Sequence, residues 1–129
     1  MSVFDGIFGV HERALELRQT RLELLASNIA NADTPNFKAK DLDFKKAMGE
    51  SLRNFDVGLD RTHSSHMNTG GNTAQHTVYR TSLNPAADGN SVDRHYEQAE
   101  FGKEAMRYTA TMQFLEGRVS SVRRALRGE

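Results

Sequence analysis

The sequence predicts a mainly α protein in which long N- and C-terminal helices form an antiparallel coiled coil around a small irregular middle segment with some β structure. Three observations lead there. The C-terminal third carries an unbroken heptad: Phe101, Tyr108, Leu115 and Val122 are seven apart, and Ala105, Met112, Val119 and Leu126 repeat the spacing four residues on. The N-terminal third carries a shorter seam of Leu15, Leu22 and Ile29, with Leu25 in the interleaved row. Between them, residues 54–77 are rich in Gly, Asn, Ser, Thr and His and offer few apolar side chains for either seam to pack on.

The first helix is expected over about Gly9–Ala32, since apolar spacings of three and four keep one stripe on one face. Arg18 interrupts that stripe once. The helix must stop near Asp33-Thr34-Pro35, because Pro35 lacks a backbone donor and pushes Thr34 out of the helical region. Leu42, Phe44, Ala47, Met48 and Leu52 suit a short helix beginning near Asp41, with Asp41 or Asp43 as its cap. A short strand is expected around Phe55–Leu59, and Thr77–Thr81 alternates enough to pair with it as a ribbon. Asn84-Pro85 and Asp88-Gly89 are turn signals. Asn90, Ser91 or Asp93 then caps a final helix over about Val92–Leu126, roughly 50 Å long at about 1.5 Å per residue. The organisation is one discontinuous domain with an insert: 1–36 and 91–129 are the two coiled-coil helices and 37–90 the middle segment.

Composition narrows the function classes. With 37% hydrophobic residues and a mean hydropathy of −0.64, the 129-residue chain can build only a small core. Seventeen basic residues balance seventeen acidic ones, which weakens any case for bulk binding to nucleic acid or anionic lipid. There is no cysteine, so disulfides and thiolate metal sites are excluded. No stretch approaches the roughly 20 apolar residues of a membrane span. The first ten residues carry Asp5 and no Lys or Arg, so they lack the basic start of a cleaved secretory signal.

The remaining motifs favour structure over chemistry. His63-x-x-His66 with Asp60 has zinc-like spacing, but it lies with His76 in a polar loop context that suits solvated histidines. Asp88-Gly89-Asn90 with Asp93 lacks the spacing and distal Glu of a calcium loop and reads as a turn plus helix cap. Arg118, Arg123, Arg124 and Arg127 complement the negative end of a helix dipole and suit acidic residues on neighbouring subunits better than nucleic acid. No nucleophile arrangement is visible, so no catalytic, metal or cofactor residue is assigned. The apolar seams are too narrow to bury themselves. Leu15, Leu22, Leu25 and Ile29 with Phe101, Ala105, Tyr108, Met112, Leu115, Val119, Val122 and Leu126 are therefore the expected assembly interface, within or between subunits.

The most specific string is Asn28-Ile29-Ala30-Asn31-Ala32-Asp33-Thr34-Pro35. Asparagine is a poor residue for a helix interior and needs partners when buried, so Asn28 and Asn31 are expected to bond to another chain or to the turn after Pro35. Asn28, Asn31, Thr34, Pro35, Asn36 and Phe37 resemble the Asn-x-x-Asn-x-x-Thr-Pro-Gly-Tyr signature of the axial (rod and hook) proteins of the bacterial flagellum. Asn36 stands where glycine is usual and Phe37 where tyrosine is usual; asparagine tolerates the left-handed region better than most residues. Lys38–Phe44, Asp88–Asp93 and Tyr108–Leu115 narrow the resemblance to the proximal rod members, over about 1–48 and 78–127.

That resemblance implies a non-enzymatic structural subunit without cofactor or metal. It implies passage through the type III export apparatus without a cleaved signal, and residence in the periplasmic rod of the basal body. Partners would be copies of the chain, other rod proteins, the adapter protein FliE and the inner-membrane ring, with no nucleic acid and no insertion into the membrane. The work would be to carry torque from that ring to the distal rod and hook. The alternative is a cytoplasmic coiled-coil adaptor or export chaperone, which would be a well-folded, discrete oligomer in dilute solution.

Overall fold

The computed structural model describes residues 3–56, 76–82 and 86–128, with side chains of 8–53 in the first of these segments. In order, the elements are α1 (Val3–Ala30), β1 (Lys40–Leu42), α2 (Phe44–Asp56), β2 (Thr77–Tyr79) and α3 (Arg94–Arg127). The molecule is thus mainly helical, with the two long helices at the ends and a two-stranded sheet between them, as the heptads require. At about 1.5 Å per residue α1 is about 42 Å long and α3 about 51 Å.

The two long helices run antiparallel. Asn28 meets Glu97, Arg21 meets Glu104, Arg18 meets Thr111, and Phe8 shares a groove with Val119 and Leu126. The start and stop of each helix are set locally. Asp93 caps α3, its carboxylate accepting from the backbone N–H groups of His95 and Tyr96, and Gly128 ends it with φ 73°. Asp43 caps α2: its side chain accepts from the Lys46 N–H at 3.0 Å and its carbonyl from the Ala47 N–H at 3.0 Å. Asp41, the other expected cap, belongs to β1 instead.

The middle differs from the sequence expectation in its pairing. Phe55 and Asp56, assigned to a strand at Phe55–Leu59, complete α2; residues 57–59 lie outside the described residues. β2 pairs antiparallel with β1 instead, in the register Lys40 to Tyr79, Asp41 to Val78 and Leu42 to Thr77. The reason lies in Asn28. Its Oδ1 accepts from the Lys40 N–H at 3.0 Å while its Nδ2 donates to the Lys40 carbonyl at 2.7 Å. One amide side chain thereby imitates a neighbouring strand and fixes β1 as extended chain along α1.

The apolar core is small and lies on one side of the hairpin. Leu17, Leu42 and Ala47 are buried together, with Leu24, Phe44 and Met48 packed around them. The Arg18 guanidinium sits 4.5 Å from the centre of the Phe44 ring, a cation–π contact that roofs this cluster. His76, expected in a solvated loop, is buried where β2 begins. Its carbonyl accepts from the Asp43 N–H, and its Nε2 lies 2.7 Å from Glu50 of α2. The ribbon and α2 therefore clamp one side of α1.

Candidate functional site

Charged groups, rather than the apolar seams, occupy the centre of the helix–helix contact. Arg18, Arg21, Leu25 and Asn28 recur at spacings of three and four, and they form the line along α1 that meets α3. Facing them, Glu97 and Glu104 are each 1% exposed. Arg21 holds the centre. Its Nε and one Nη bind both oxygens of Asp41 at 2.9 and 3.2 Å, and it reaches Glu104 at 2.7 Å and Glu100 at 3.1 Å. Arg18 donates to the other Glu104 oxygen at 2.7 Å and to the Thr111 hydroxyl at 3.1 Å. Arg80, just after β2, closes the ring by pairing with Asp41 and with Glu97 at 2.6 Å. Its guanidinium lies 4.8 Å from the Tyr96 ring centre.

The electrostatics follow from that crowding. Burial alone would raise the Asp41 pKa, but hydrogen bonds from Arg21 and then Arg80 outweigh it and hold the carboxylate below its usual 3.8. The hydrogen bond to Asp41 is likewise the main reason that the Arg21 pKa is raised, against the opposing effect of burial. Glu100 is held below its usual 4.5, chiefly by the hydrogen bond from Lys103, with Arg21 adding to it. Every charge in the ring has a partner of opposite sign. The arrangement is an ionic lock that joins α1, β1, the residue after β2, and α3. A cleft of about 260 Å³ beside it is lined by Arg80, Thr81, Ser82, Ser91, Asp93, Tyr96 and Glu97, of which Arg80 and Glu97 are paired in the lock and Asp93 caps α3.

The signature residues place the turn. Asn31 donates to the Ser27 carbonyl at 2.8 Å and accepts from the Thr34 hydroxyl at 3.2 Å. Asn36 adopts φ 59°, the left-handed geometry that this position of the motif demands, and its N–H donates to the Asp88 carbonyl. Gly89, at φ 77°, lies so close that an added Cβ would stand 2.5 Å from the Asn36 side-chain oxygen. Thr34, Pro35 and Asn36 are exposed, while Phe37 is half-buried. Asn90, named in the sequence only as one of three cap candidates, is buried. Its Nδ2 donates to the carbonyls of Asn31, Ala32 and Thr34, and so it closes the C-terminus of α1.

The expected apolar seams lie to one side of this line of contact. Leu25 alone among them is fully buried. Leu15, Leu22 and Ile29 are half-buried, as are Ala105, Tyr108, Met112, Leu115 and Val122. Phe101, Val119 and Leu126 are exposed by 37%, 43% and 77%. At about 100° per residue, Leu15, Leu22 and Ile29 sit on the flank of α1 opposite Leu17 and Leu24. Because the helices are antiparallel, the Phe101, Ala105, Met112 and Val119 flank of α3 faces the same way. The hairpin therefore has a side covered by α2 and β1 and a side whose apolar stripe is left half-open. At its far end that open side widens into a groove of about 430 Å³ lined by Phe8, Val119, Val122, Arg123, Leu126 and Arg127.

His63, His66 and Asp60 lie outside the described residues, and among the described residues no three His, Cys, Asp or Glu side chains are grouped to hold a metal ion. Among the described residues, too, no helix is long and apolar enough to cross a membrane.

The residues from the open end of α1 to the turn match a family profile described as Flagella basal body rod protein, over 8–38. Relatives extend the likeness to the whole chain. The flagellar basal body rod protein FlgB of Aeromonas hydrophila is 40% identical over 127 residues, covering 98% of this chain and 96% of its own length. The FlgB of Cereibacter sphaeroides is 40% identical over 130 residues with both chains covered in full. That of Salmonella typhimurium is 34% identical over 131 residues, covering 96% and 95%. Identity at this level over the full length of both chains shows that the chain belongs to the FlgB family of flagellar basal body rod proteins, structural components of the flagellum.

Proposed function

We propose that the chain is a subunit of the proximal rod that assembles through its terminal helices and carries torque from the inner-membrane ring toward the distal rod and hook. The observation that carries this reading is the half-open side of the hairpin. Leu15, Leu22 and Ile29 of α1 and Phe101, Met112 and Val119 of α3 line up along one face, and among the described residues α2 and β1 pack on the other. Burying apolar side chains contributes roughly 25 cal/mol for each Å² removed from water, so a stripe of this length favours a neighbouring helix. The ionic lock suits a torque-bearing part, because its bonds tie four elements into one unit that resists shear. The neighbours would be copies of the chain, other rod proteins, and at the base the adapter protein FliE and the inner-membrane ring. Delivery would be through the type III export apparatus.

The test replaces stripe residues with a charge. Ile29→Asp or Leu115→Asp, expressed in cells lacking the native copy, should abolish basal-body rod assembly and swimming while the protein is still made. Normal swimming with either variant would defeat the reading.

A further inference from the structure

The groove at the far end of the hairpin is ringed by one sign of charge. From Tyr108 to Gly128 the chain has four arginines (118, 123, 124 and 127) against the single acid Glu116. All four are exposed, and none has an acidic partner among the described residues. Arg123 and Arg127 form the groove's own rim, and its floor includes the 43%-exposed Val119 and the 77%-exposed Leu126. The complement occurs elsewhere on the same chain. The outer face of α1 presents Glu12, Glu16 and Glu23, all exposed, beside the half-buried flank of Leu15 and Leu22. Among the described residues, the Glu16 side chain pairs with Arg13, one turn away, and that of Glu23 accepts from Gln19.

The spacings agree as well as the charges. Leu15 and Leu22 are seven residues apart, as are Val119 and Leu126, a rise of about 10.5 Å in each case. Glu12 and Glu16 are four apart, as are Arg123 and Arg127, about 6 Å. One antiparallel register brings Val119 opposite Leu22 and Leu126 opposite Leu15, with Arg123 near Glu16 and Arg127 near Glu12.

We infer that the arginine-rimmed groove of one copy receives the acid-flanked α1 face of a second copy. The two surfaces are different patches of the molecule, so the contact is head-to-tail. It leaves one groove and one α1 face unfilled at the ends of any string of copies, and repeats without closing unless the rotation happens to complete a ring. This rests on the rod reading above and names the first neighbour within it.

The experiment uses two full-length charge reversals at exposed positions: R123E/R127E in the groove and E12R/E16R on α1. Self-association of the purified chain is followed by sedimentation velocity across a concentration series, with circular dichroism confirming that each variant remains helical. Two lost ion pairs and two introduced repulsions are expected to raise the half-assembly concentration of either variant alone by about tenfold. An equimolar mixture of the two variants restores every groove-to-face pairing and should assemble like the wild type. A wild-type chain that stays monomeric throughout, reversals without effect, or a mixture that is not restored would overturn the inference. Swimming separates it from the rod reading. If both reversals swim normally while Leu115→Asp does not, the rod reading stands and this pairing falls.

Discussion

The two ends of the helical hairpin are built on opposite principles. At the turn end, α1 and α3 are joined by charge: Arg18, Arg21 and Arg80 interlock with Asp41, Glu97, Glu100 and Glu104, and Asn28 and Asn90 satisfy the backbone around them. At the open end they are joined by little more than the edge of an apolar stripe, and Val119 and Leu126 of that stripe remain exposed. A buried ion pair seldom adds much stability over a well-packed apolar pair, but it is unforgiving of any other arrangement. The turn end thus specifies which residues of the two helices meet. The open end leaves apolar side chains uncovered, and the proposed contact with a neighbouring subunit rests on them.

The sharpest way to break this contrast is at the centre of the lock. Arg21→Leu leaves Asp41 and the almost wholly buried Glu104 short of their main partner. Removing one member of a buried pair typically costs about 3–5 kcal/mol, so the variant should lose most of its cooperative unfolding transition in urea. A loss below about 1 kcal/mol would mean that the lock is no more than a surface network.

Acid should act on the same end. The folded-state pKa values of Asp41 and Glu100 lie below their ordinary values of 3.8 and 4.5, so the folded chain holds these groups ionised more strongly than the unfolded chain does. The stability they supply is complete above about pH 4.5 and is lost as the pH falls through the folded-state values. Thermal melting followed from pH 7 to pH 3 should therefore be flat to about 5 and then decline. In Asp41→Asn that decline should be shallower, since one of the titrating groups is gone.

A smaller loss is expected where the lock meets the helix end. Asn90→Ala leaves the part-buried Asn31, Ala32 and Thr34 carbonyls without their shared donor, and the loss should lie near the lower end of the range of about 1–3 kcal/mol that a buried unsatisfied group costs. Asn90→Asp is the sharper comparison. It keeps the size and the Oδ1 that accepts from the Val92 N–H at 2.8 Å, but turns the donor toward three carbonyls into an acceptor.

How much of this the sequence disclosed divides along the same boundary. Both long helices and their antiparallel pairing follow from the heptads, and the turn follows from Pro35 and the asparagines. The apolar stripe on the open side was legible, because such a stripe shows itself by period alone, whereas Phe8 of the groove stood outside it. The lock was not. Arg18 read as a break in the α1 row, whereas it turns inward to bind Glu104. Glu97, Glu104 and Thr111 are themselves seven apart, a polar heptad beside the apolar one, and that spacing was the available signal. It is a weak signal because charged residues at helical spacing usually face water. What makes these face inward is a set of partners 79 to 86 positions away in the chain, and Arg80 from a different element again. The strand pairing was missed for a similar reason, since β1 is held by the Asn28 side chain and three residues of strand carry almost no pattern of their own.

The smallest effect on the isolated chain belongs at the open end, and there the contrast is tested from the other side. Leu126 is mostly exposed already, so Leu126→Ser removes little buried surface and should change the monomer's unfolding free energy by no more than about 0.5 kcal/mol. Buried against a neighbour, the same side chain would contribute roughly 1.5–3 kcal/mol, so rod assembly should fall by about ten- to a hundredfold in the variant whose folding is hardly touched. Arg21→Leu, matched to it, should injure folding first and assembly only as a consequence. A Leu126→Ser chain that unfolds more easily yet assembles normally would reverse the assignment, making the open end part of the fold and leaving the neighbour-binding surface to be sought elsewhere.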